Sequence, residues 1–244
     1  MNLGIIIQAR VGSTRLHNKI LLPIDGETTF LDVLLIKLKE EFNNLPIILA
    51  TSGKKENDII VEVAKKHKIN VFRGDENNVL KRFVDCALKF KLSSIIRVCS
   101  DNPFLDTTLL KSLIENYKCE DYFSYKINNT PSILTHYGFF AEIVSLNALE
   151  KVLKFNNKLC LEHVTNCVYT NTDEFNVRFN NKEITEKNIR CTLDTKQDFL
   201  NLKHIYSKWY IPSKNKSLES LISFINQSKT LKQFMKIEID KNSK

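Results

Sequence analysis

Leu3-Gly4-Ile5-Ile6-Ile7-Gln8-Ala9-Arg10-Val11-Gly12-Ser13-Thr14-Arg15-Leu16-His17-Asn18-Lys19 opens the chain and governs how the rest is read. The isoleucine run at 5–7 predicts a buried strand over 3–8 that breaks into a polar, glycine-containing turn. That turn delivers Arg10, Arg15 and Lys19 around Gly12 and Ser13. Backbone N–H groups in such a turn form an anion nest, and three cations around it favour a polyphosphate. The residues therefore point to a nucleoside triphosphate; the competing reading is a basic surface loop after an edge strand.

Outward from this segment, apolar runs at 46–51, 69–72 and 94–99 alternate with helical patterns near 29–42, 56–67, 77–91 and 106–117. Such alternation predicts βαβ units and a largely parallel sheet. In the first helix Phe30, Val33, Leu34, Lys37 and Leu38 recur on one face. After residue 120 the pattern changes. Short strands at 122–126, 136–144 and 175–179 accompany helices near 145–154 and 160–168, followed by a strand at 190–193 and a helix at 195–208. One more helix is expected within 212–230, and residues 240–244 are expected to fray.

Composition narrows the class. With 244 residues, 43% hydrophobic and 26% charged, the chain can bury a sizeable α/β core. No apolar run approaches the roughly 20 residues that span a bilayer. Met1 leads straight into the first strand without an export signal, so a cytoplasmic protein without membrane insertion is expected. Six scattered cysteines without a CxxC pair read as free, mostly buried thiols rather than a zinc site. The net charge of +8 lies largely in lysines such as Lys37, Lys39, Lys54, Lys55, Lys65, Lys66 and Lys68. Aromatic residues do not interleave with them, which predicts a solvated surface and no nucleic-acid partner.

Two acidic turns complete the candidate site. In Arg97-Val98-Cys99-Ser100-Asp101-Asn102-Pro103-Phe104-Leu105-Asp106 a strand ends at a carboxylate before a helix. Ligands of open α/β sheets bind beyond the carboxyl ends of strands, which puts Asp101 in the crevice of the basic loop. A carboxylate there suits Mg2+ held against phosphate oxygens, whereas Asp106 reads as a helix cap. Arg190-Cys191-Thr192-Leu193-Asp194-Thr195-Lys196-Gln197-Asp198-Phe199 repeats the logic with Asp194, and Thr195 and Asp198 can serve as helix-start residues. Two carboxylates from different strands would then share one Mg2+.

These segments together resemble the nucleotide-sugar cytidylyltransferases, most closely their SpsF-like branch, and are similar to the CMP-sugar-acid synthetases. The branch typically opens on a sequence close to Q-A-R-x-G-S-T-R-L-P-G-K, where this chain has QARVGSTRLHNK, with His17-Asn18 in place of Pro-Gly. The likeness continues through VFRGDENNVLKRF at 71–83, SDNPFLD at 100–106, EHVT at 162–165 and RCTLDTKQDF at 190–199.

The resemblance implies a GT-A-like nucleotidyltransferase fold, a three-layer α/β/α arrangement over a mostly parallel mixed sheet. It implies transfer of CMP from CTP to a small sugar acceptor, an acidic one by family likeness, for surface glycan synthesis. The nucleotide would meet Gln8, Ala9, Arg10, Gly12, Ser13, Arg15, Lys19, Thr51, Arg73 and Ser100; Arg10, Arg15, Lys19 and Asp101 would be catalytic; Asp101 and Asp194 would ligate Mg2+. His136, Glu142, Glu162 and His163 are the candidate acceptor residues. In 138–142, where the branch often reads G-L-D-V-E, Phe140 replaces the acidic residue. The implied organisation is a nucleotidyltransferase domain over 1–211, with 120–185 binding acceptor and forming a homodimer, and a helical extension over 212–244. The alternatives are a glycosyltransferase using a nucleotide-diphosphate sugar and a catalytically silent nucleotide-binding protein.

Overall fold

Alternate side chains of the central strands point to opposite faces of one sheet, and each face is covered by helices. The computed structural model describes residues 2–155 and 157–242. Its strands are β1 (Leu3–Gln8), β2 (Pro23–Asp25), β3 (Thr28–Thr29), β4 (Ile47–Ser52), β5 (Asn70–Gly74), β6 (Ser94–Cys99), β7 (Tyr122–Ile127), β8 (Thr130–Pro131), β9 (Glu142–Ser145) and β10 (Val177–Lys182). Its helices are α1 (Phe30–Glu41), α2 (Asp58–His67), α3 (Val79–Lys89), α4 (Thr107–Asn116), α5 (Leu146–Leu153), α6 (Lys158–Glu162), α7 (Asn166–Tyr169), α8 (Lys196–Ile205), α9 (Leu218–Asn226) and α10 (Lys229–Lys241).

The sheet runs β10-β7-β9-β6-β1-β4-β5, with β8 attached to β7. β6, β1, β4 and β5 are parallel, as are β10 and β7, while β9 runs antiparallel between β6 and β7. This is the expected mostly parallel mixed sheet. Ile5, Ile7, Leu49 and Val98 face the core shared with α1, α2, α4 and α8 to α10; Ile6, Ile48, Ala50 and Ile95 face α3 and α5 to α7. The chain steps from β1 outward to β4 and β5, then returns to β6 on the other side of β1. That reversal opens a crevice at the carboxyl ends of β1 and β6. Gln8 lies level with Ala50 on β4 and Cys99 on β6.

Several expectations change on folding. The predicted strand at 190–193 is extended but makes no ladder; its Cys191 and Leu193 N–H groups donate to the carbonyls of His136 (3.0 Å) and Asp101 (2.9 Å). The predicted 136–144 strand shortens to β9, because Gly138 turns the chain with φ +71°. The helix expected at 160–168 is two short helices, α6 and α7, hinged at 163–165. This hairpin brings Cys160 and Cys167 to a Cα separation of 5.5 Å, within bridging reach, and they form a disulfide. Cys86, Cys99, Cys119 and Cys191 remain thiols, so the six-thiol expectation is corrected.

Lys37 is not a surface lysine: it is 7% exposed, and its Nζ donates to the Leu105 carbonyl at 3.0 Å. The 212–230 helix is α9, and a second, α10, follows; Asp240 and Lys241 close α10, while 243 and 244 lie outside the described residues. Leu218, Ile225, Leu231 and Met235 of these helices join the core shared with β1. Among the described residues, no helix is long and apolar enough to cross a membrane.

Candidate active site

The basic loop is pinned at both ends. Ala9 N–H donates to the Ala50 carbonyl (3.1 Å), and Val11 N–H donates to Asn57 Oδ1 (3.0 Å), whose amide reaches Ser52 Oγ (2.7 Å). Val11 and Ile20 are buried, so residues between them arch outward from two apolar anchors. Asn18 takes a left-handed backbone, φ 52° and ψ 25°, and its carbonyl accepts from Leu21 N–H at 2.8 Å. Asparagine tolerates this region best among residues with a Cβ, so it fills the glycine's place in the resembling motif.

From this loop Lys19 reaches both acidic turns. Its Nζ lies 2.9 Å from Asp101 Oδ2 and 2.7 Å from Asp194 Oδ1. Burial works to pull its ammonium pKa down, but the two carboxylates raise it above the ordinary value. At Asp194 burial pushes the pKa up, and Lys19, Arg15 and Arg190 outweigh it and hold the carboxyl low. Arg15 stands at the mouth, 3.6 Å from Asp194 and 3.0 Å from Asn242 Oδ1. Three distant sequence segments thus meet at one ammonium group.

Asp194 is itself held by residues that the sequence marks less clearly. Arg190, fully buried, forms a bidentate pair with Asp198 at 2.7 and 2.8 Å and lies 3.5 Å from Asp194. Asp198 also accepts the N–H groups of Asp194 and Thr195, each at 3.0 Å, and shares a capping box with Thr195. The helix-start reading of Thr195 and Asp198 holds, but Asp198 also aims the Asp194 backbone. Asp106 caps α4 as expected and takes Leu218 N–H with its second oxygen at 2.8 Å.

The remaining nucleotide candidates divide. Gln8 Oε1 accepts from Arg97 Nη2 at 3.2 Å; a guanidinium only donates, so the Gln8 amide nitrogen is turned to the other side. Ser100 is buried at the head of the acidic turn, with its N–H 3.4 Å from the Gln8 carbonyl. Gly12 and Arg10 are exposed, and Ser13 N–H closes the turn onto the Val11 carbonyl at 2.8 Å. Thr51 is fully buried with an unpartnered hydroxyl. Arg73 braces the 52–54 turn through three carbonyls and pairs with Asp58 at 2.5 Å, so its guanidinium is spent on the scaffold. Arg82, unmarked as a candidate, is fully buried on α3 beside Gly74, where its Nη1 donates to the Asp75 carbonyl.

The acceptor candidates do not converge. Glu142 is 2% exposed and sealed by Arg97, by Tyr122 OH (2.6 Å) and by Thr165 Oγ1 (2.9 Å). That corrects its acceptor-binding reading: its oxygens are occupied inside the protein. Glu162 and His163 are exposed at the end of α6, and it is Thr165 of the same motif that reaches inward. His136 Nδ1 lies 2.6 Å from Arg190 Nη1, so the arginine orients the ring. Beside the two aspartates a pocket opens, lined by Cys99, Asp101, Asn102, Ser132, Ile133, Thr135, Gly138, Phe140, Thr192 and Asp194.

A family profile described as cytidylyltransferase matches residues 4–238. The spore coat polysaccharide biosynthesis protein SpsF of Bacillus subtilis is 34% identical over 213 residues, 83% of this chain and 85% of that protein. A solved cytidylyltransferase from Leptospira borgpetersenii superposes with a TM-score of 0.84 at 31% identity, covering 96% of this chain and 97% of the other. The structure of CMP:2-keto-3-deoxy-manno-octonic acid synthetase complexed with CTP shares the fold, with a TM-score of 0.61 at 14% identity over 85% and 99% of the two chains.

Proposed function

The chain belongs to the cytidylyltransferase family and is a nucleotidyltransferase, and we propose that it transfers CMP from CTP to a sugar hydroxyl, releasing pyrophosphate, with Mg2+ as its cofactor. The observation that carries this reading is Lys19 Nζ lying within 2.9 Å of Asp101 and 2.7 Å of Asp194. One cation already bridges the two carboxylates, so their spacing fits a divalent ion. Among the described residues no cluster of three or more acidic, histidine or cysteine ligands occurs, and Mg2+ commonly takes one or two carboxylates with the rest from phosphate and water. Bound there, the ion would neutralise charge on the phosphate oxygens.

The chain's own residues supply the rest. Arg10, Arg15 and Lys19 neutralise the triphosphate, and the exposed Gly12, without a side chain, lets it approach the backbone of the turn closely. Lys19 exchanges its carboxylate partners for phosphate oxygens as CTP enters. The acceptor oxygen bonds to the α-phosphorus as the bond to the bridging oxygen breaks; the electron pair leaves on pyrophosphate and the hydroxyl proton passes to solvent. Positioning and electrostatics suffice without a protein nucleophile. The likeness to SpsF supports a product destined for glycan synthesis, made in the cytoplasm where CTP is available. Exposed Leu134, Phe155 and Leu159, within 120–185, support a homodimer.

Pyrophosphate release from the four nucleoside triphosphates against a sugar panel tests the proposal. CTP is expected to be preferred, and Asp101→Ala or Asp194→Ala to lower kcat by about 100- to 1,000-fold. Unchanged turnover in both variants would remove the metal assignment.

A further inference from the structure

Arg15 reaches the crevice from an open position, its side chain 55% exposed. A long side chain so placed loses rotamer freedom when it is fixed, and a ligand that must fix it binds more weakly. Two acceptors already hold this one. Asp194 Oδ2 lies 3.6 Å from Nη2, and Asn242 Oδ1 accepts from Nη1 at 3.0 Å. The first belongs to the acidic turn. The second belongs to α10, in the helical extension and 227 residues further along the chain.

The amide of Asn242 is oriented by its own helix. Its Nδ2 donates to the Glu238 carbonyl at 2.9 Å, which leaves Oδ1 turned to the guanidinium. A guanidinium only donates, so this is the one amide orientation in which both bonds form. Asn242 also caps α10, its N–H donating to the Glu238 and Ile239 carbonyls at 3.2 and 3.1 Å. The negative end of the helix dipole thus faces a cation. α10 is in turn anchored to the frame of the site. Met235 is fully buried, Leu231 is buried, and α10 packs against α8, the helix whose Asp198 aims the Asp194 backbone. One turn before Asn242, Glu238 is also buried; burial pulls the Arg190 pKa down, and Asp198, Asp194 and Glu238 outweigh it. α10 therefore meets the crevice at two points.

The neutrality of the Asn242 contact suits it to a phosphate site. A carboxylate there would neutralise Arg15 and compete with phosphate for it. An amide oxygen fixes Nη1 and leaves the full charge to an incoming anion. With Asp194 committed to Mg2+ on the CMP-transfer reading, Asn242 is the contact left to hold Arg15 in place.

We infer that Asn242 is a positioning residue of the triphosphate site: through one hydrogen bond it sets Arg15 against the phosphates, which makes α10 a working part of the crevice. The inference rests on the CMP-transfer reading. Calorimetry on the full chain with CTP and with inorganic triphosphate, each with Mg2+, tests it in a double-mutant cycle of Asn242→Ala and Arg15→Ala. Asn242→Ala is expected to weaken both probes about two- to tenfold, the range for fixing one flexible side chain. Once Arg15 is alanine it should change nothing further. Asn242→Gly, which ends a helix as well as asparagine but offers Arg15 no oxygen, should show the same loss with a level urea midpoint. Unaltered affinity in Asn242→Ala, equal losses with and without Arg15, parent-like affinity in Asn242→Gly, or a midpoint that falls in step with affinity would each overturn the inference. Protein that binds inorganic triphosphate in this pattern but not CTP overturns the nucleotide reading alone, and protein that binds neither overturns both.

Discussion

Charged groups are treated oppositely on the two sides of β6. At the crevice, Asp101 and Asp194 share Lys19 at the solvent edge, with side-chain exposures of 28%, 15% and 14%. Behind it, the side chains of Arg97 and Glu142 are 9% and 3% exposed and closed in by Tyr122 and Thr165. The first set can trade partners, because phosphate oxygens can replace carboxylates at Lys19 without stranding a charge. The second is held in place, because its oxygens are taken up by buried protein donors. On the proposed function, substrate handling and scaffolding use the same residue types, and access separates them.

Deleting Glu142 breaks the sealed side with the largest expected effect. Glu142→Ala leaves Arg97 buried and uncompensated, which costs about 3–5 kcal/mol of stability. Urea denaturation should register this as a large fall in midpoint, with a smaller fall for Glu142→Gln, which still offers Arg97 an oxygen. At the crevice the equivalent truncation, Asp194→Ala, is expected to spare the midpoint and remove turnover. Equal destabilisation by the two alanine variants would erase the distinction.

Lys37 sharpens the comparison as a buried cation with no carboxylate against it. Its Nζ meets the Leu105 carbonyl and the Tyr210 ring, 5.0 Å from the centroid, and so braces the turn that carries Asp101. Burial pulls its pKa down to about 8 from 10.5, only partly offset by Asp106. Between those values the unfolded chain binds a proton that the folded one does not, so stability rises with pH across about 8 to 10.5. The full rise is at most about 3 kcal/mol. Lys37→Met should lose it, so denaturation curves of parent and variant should converge or diverge through that window; parallel behaviour would refute the assignment.

The parts of the molecule legible in sequence are those whose chemistry sits beside its own strand. QARVGSTR, Asp101 and Asp194 each follow directly on a chain segment aimed at the crevice, so neighbours in sequence remain neighbours in space. Glu142 misleads because its partners come from β6, β7 and the 163–165 hinge, and their meeting depends on β9 inserting antiparallel between two other strands. The disulfide is hidden for the same reason: helical spacing across 160–168 conceals the break that folds Cys160 onto Cys167. Lys37 matches both a lysine-rich surface and an apolar helix face, and only packing against the 101–106 turn chooses between them. The 190–193 segment has strand-like residues but bonds to two loops rather than to a ladder.

The smallest predicted effect concerns the crevice side, where His17-Asn18 stands in place of Pro-Gly. Asn18 holds φ 52°, and its carbonyl starts the turn that presents Lys19. Left-handed backbone costs a residue with a Cβ about 1–2 kcal/mol, less for asparagine and nothing for glycine. Asn18→Ala should therefore lose about 1 kcal/mol of stability and weaken CTP binding several-fold by calorimetry, whereas Asn18→Gly should match or slightly exceed the parent. The cost falls on a loop that must hold one shape to meet a phosphate, so affinity is expected to respond more than melting. Were alanine and glycine equivalent here, the loop's shape would be set by its anchors at Val11 and Ile20, and the left-handed residue would be incidental to the cradle.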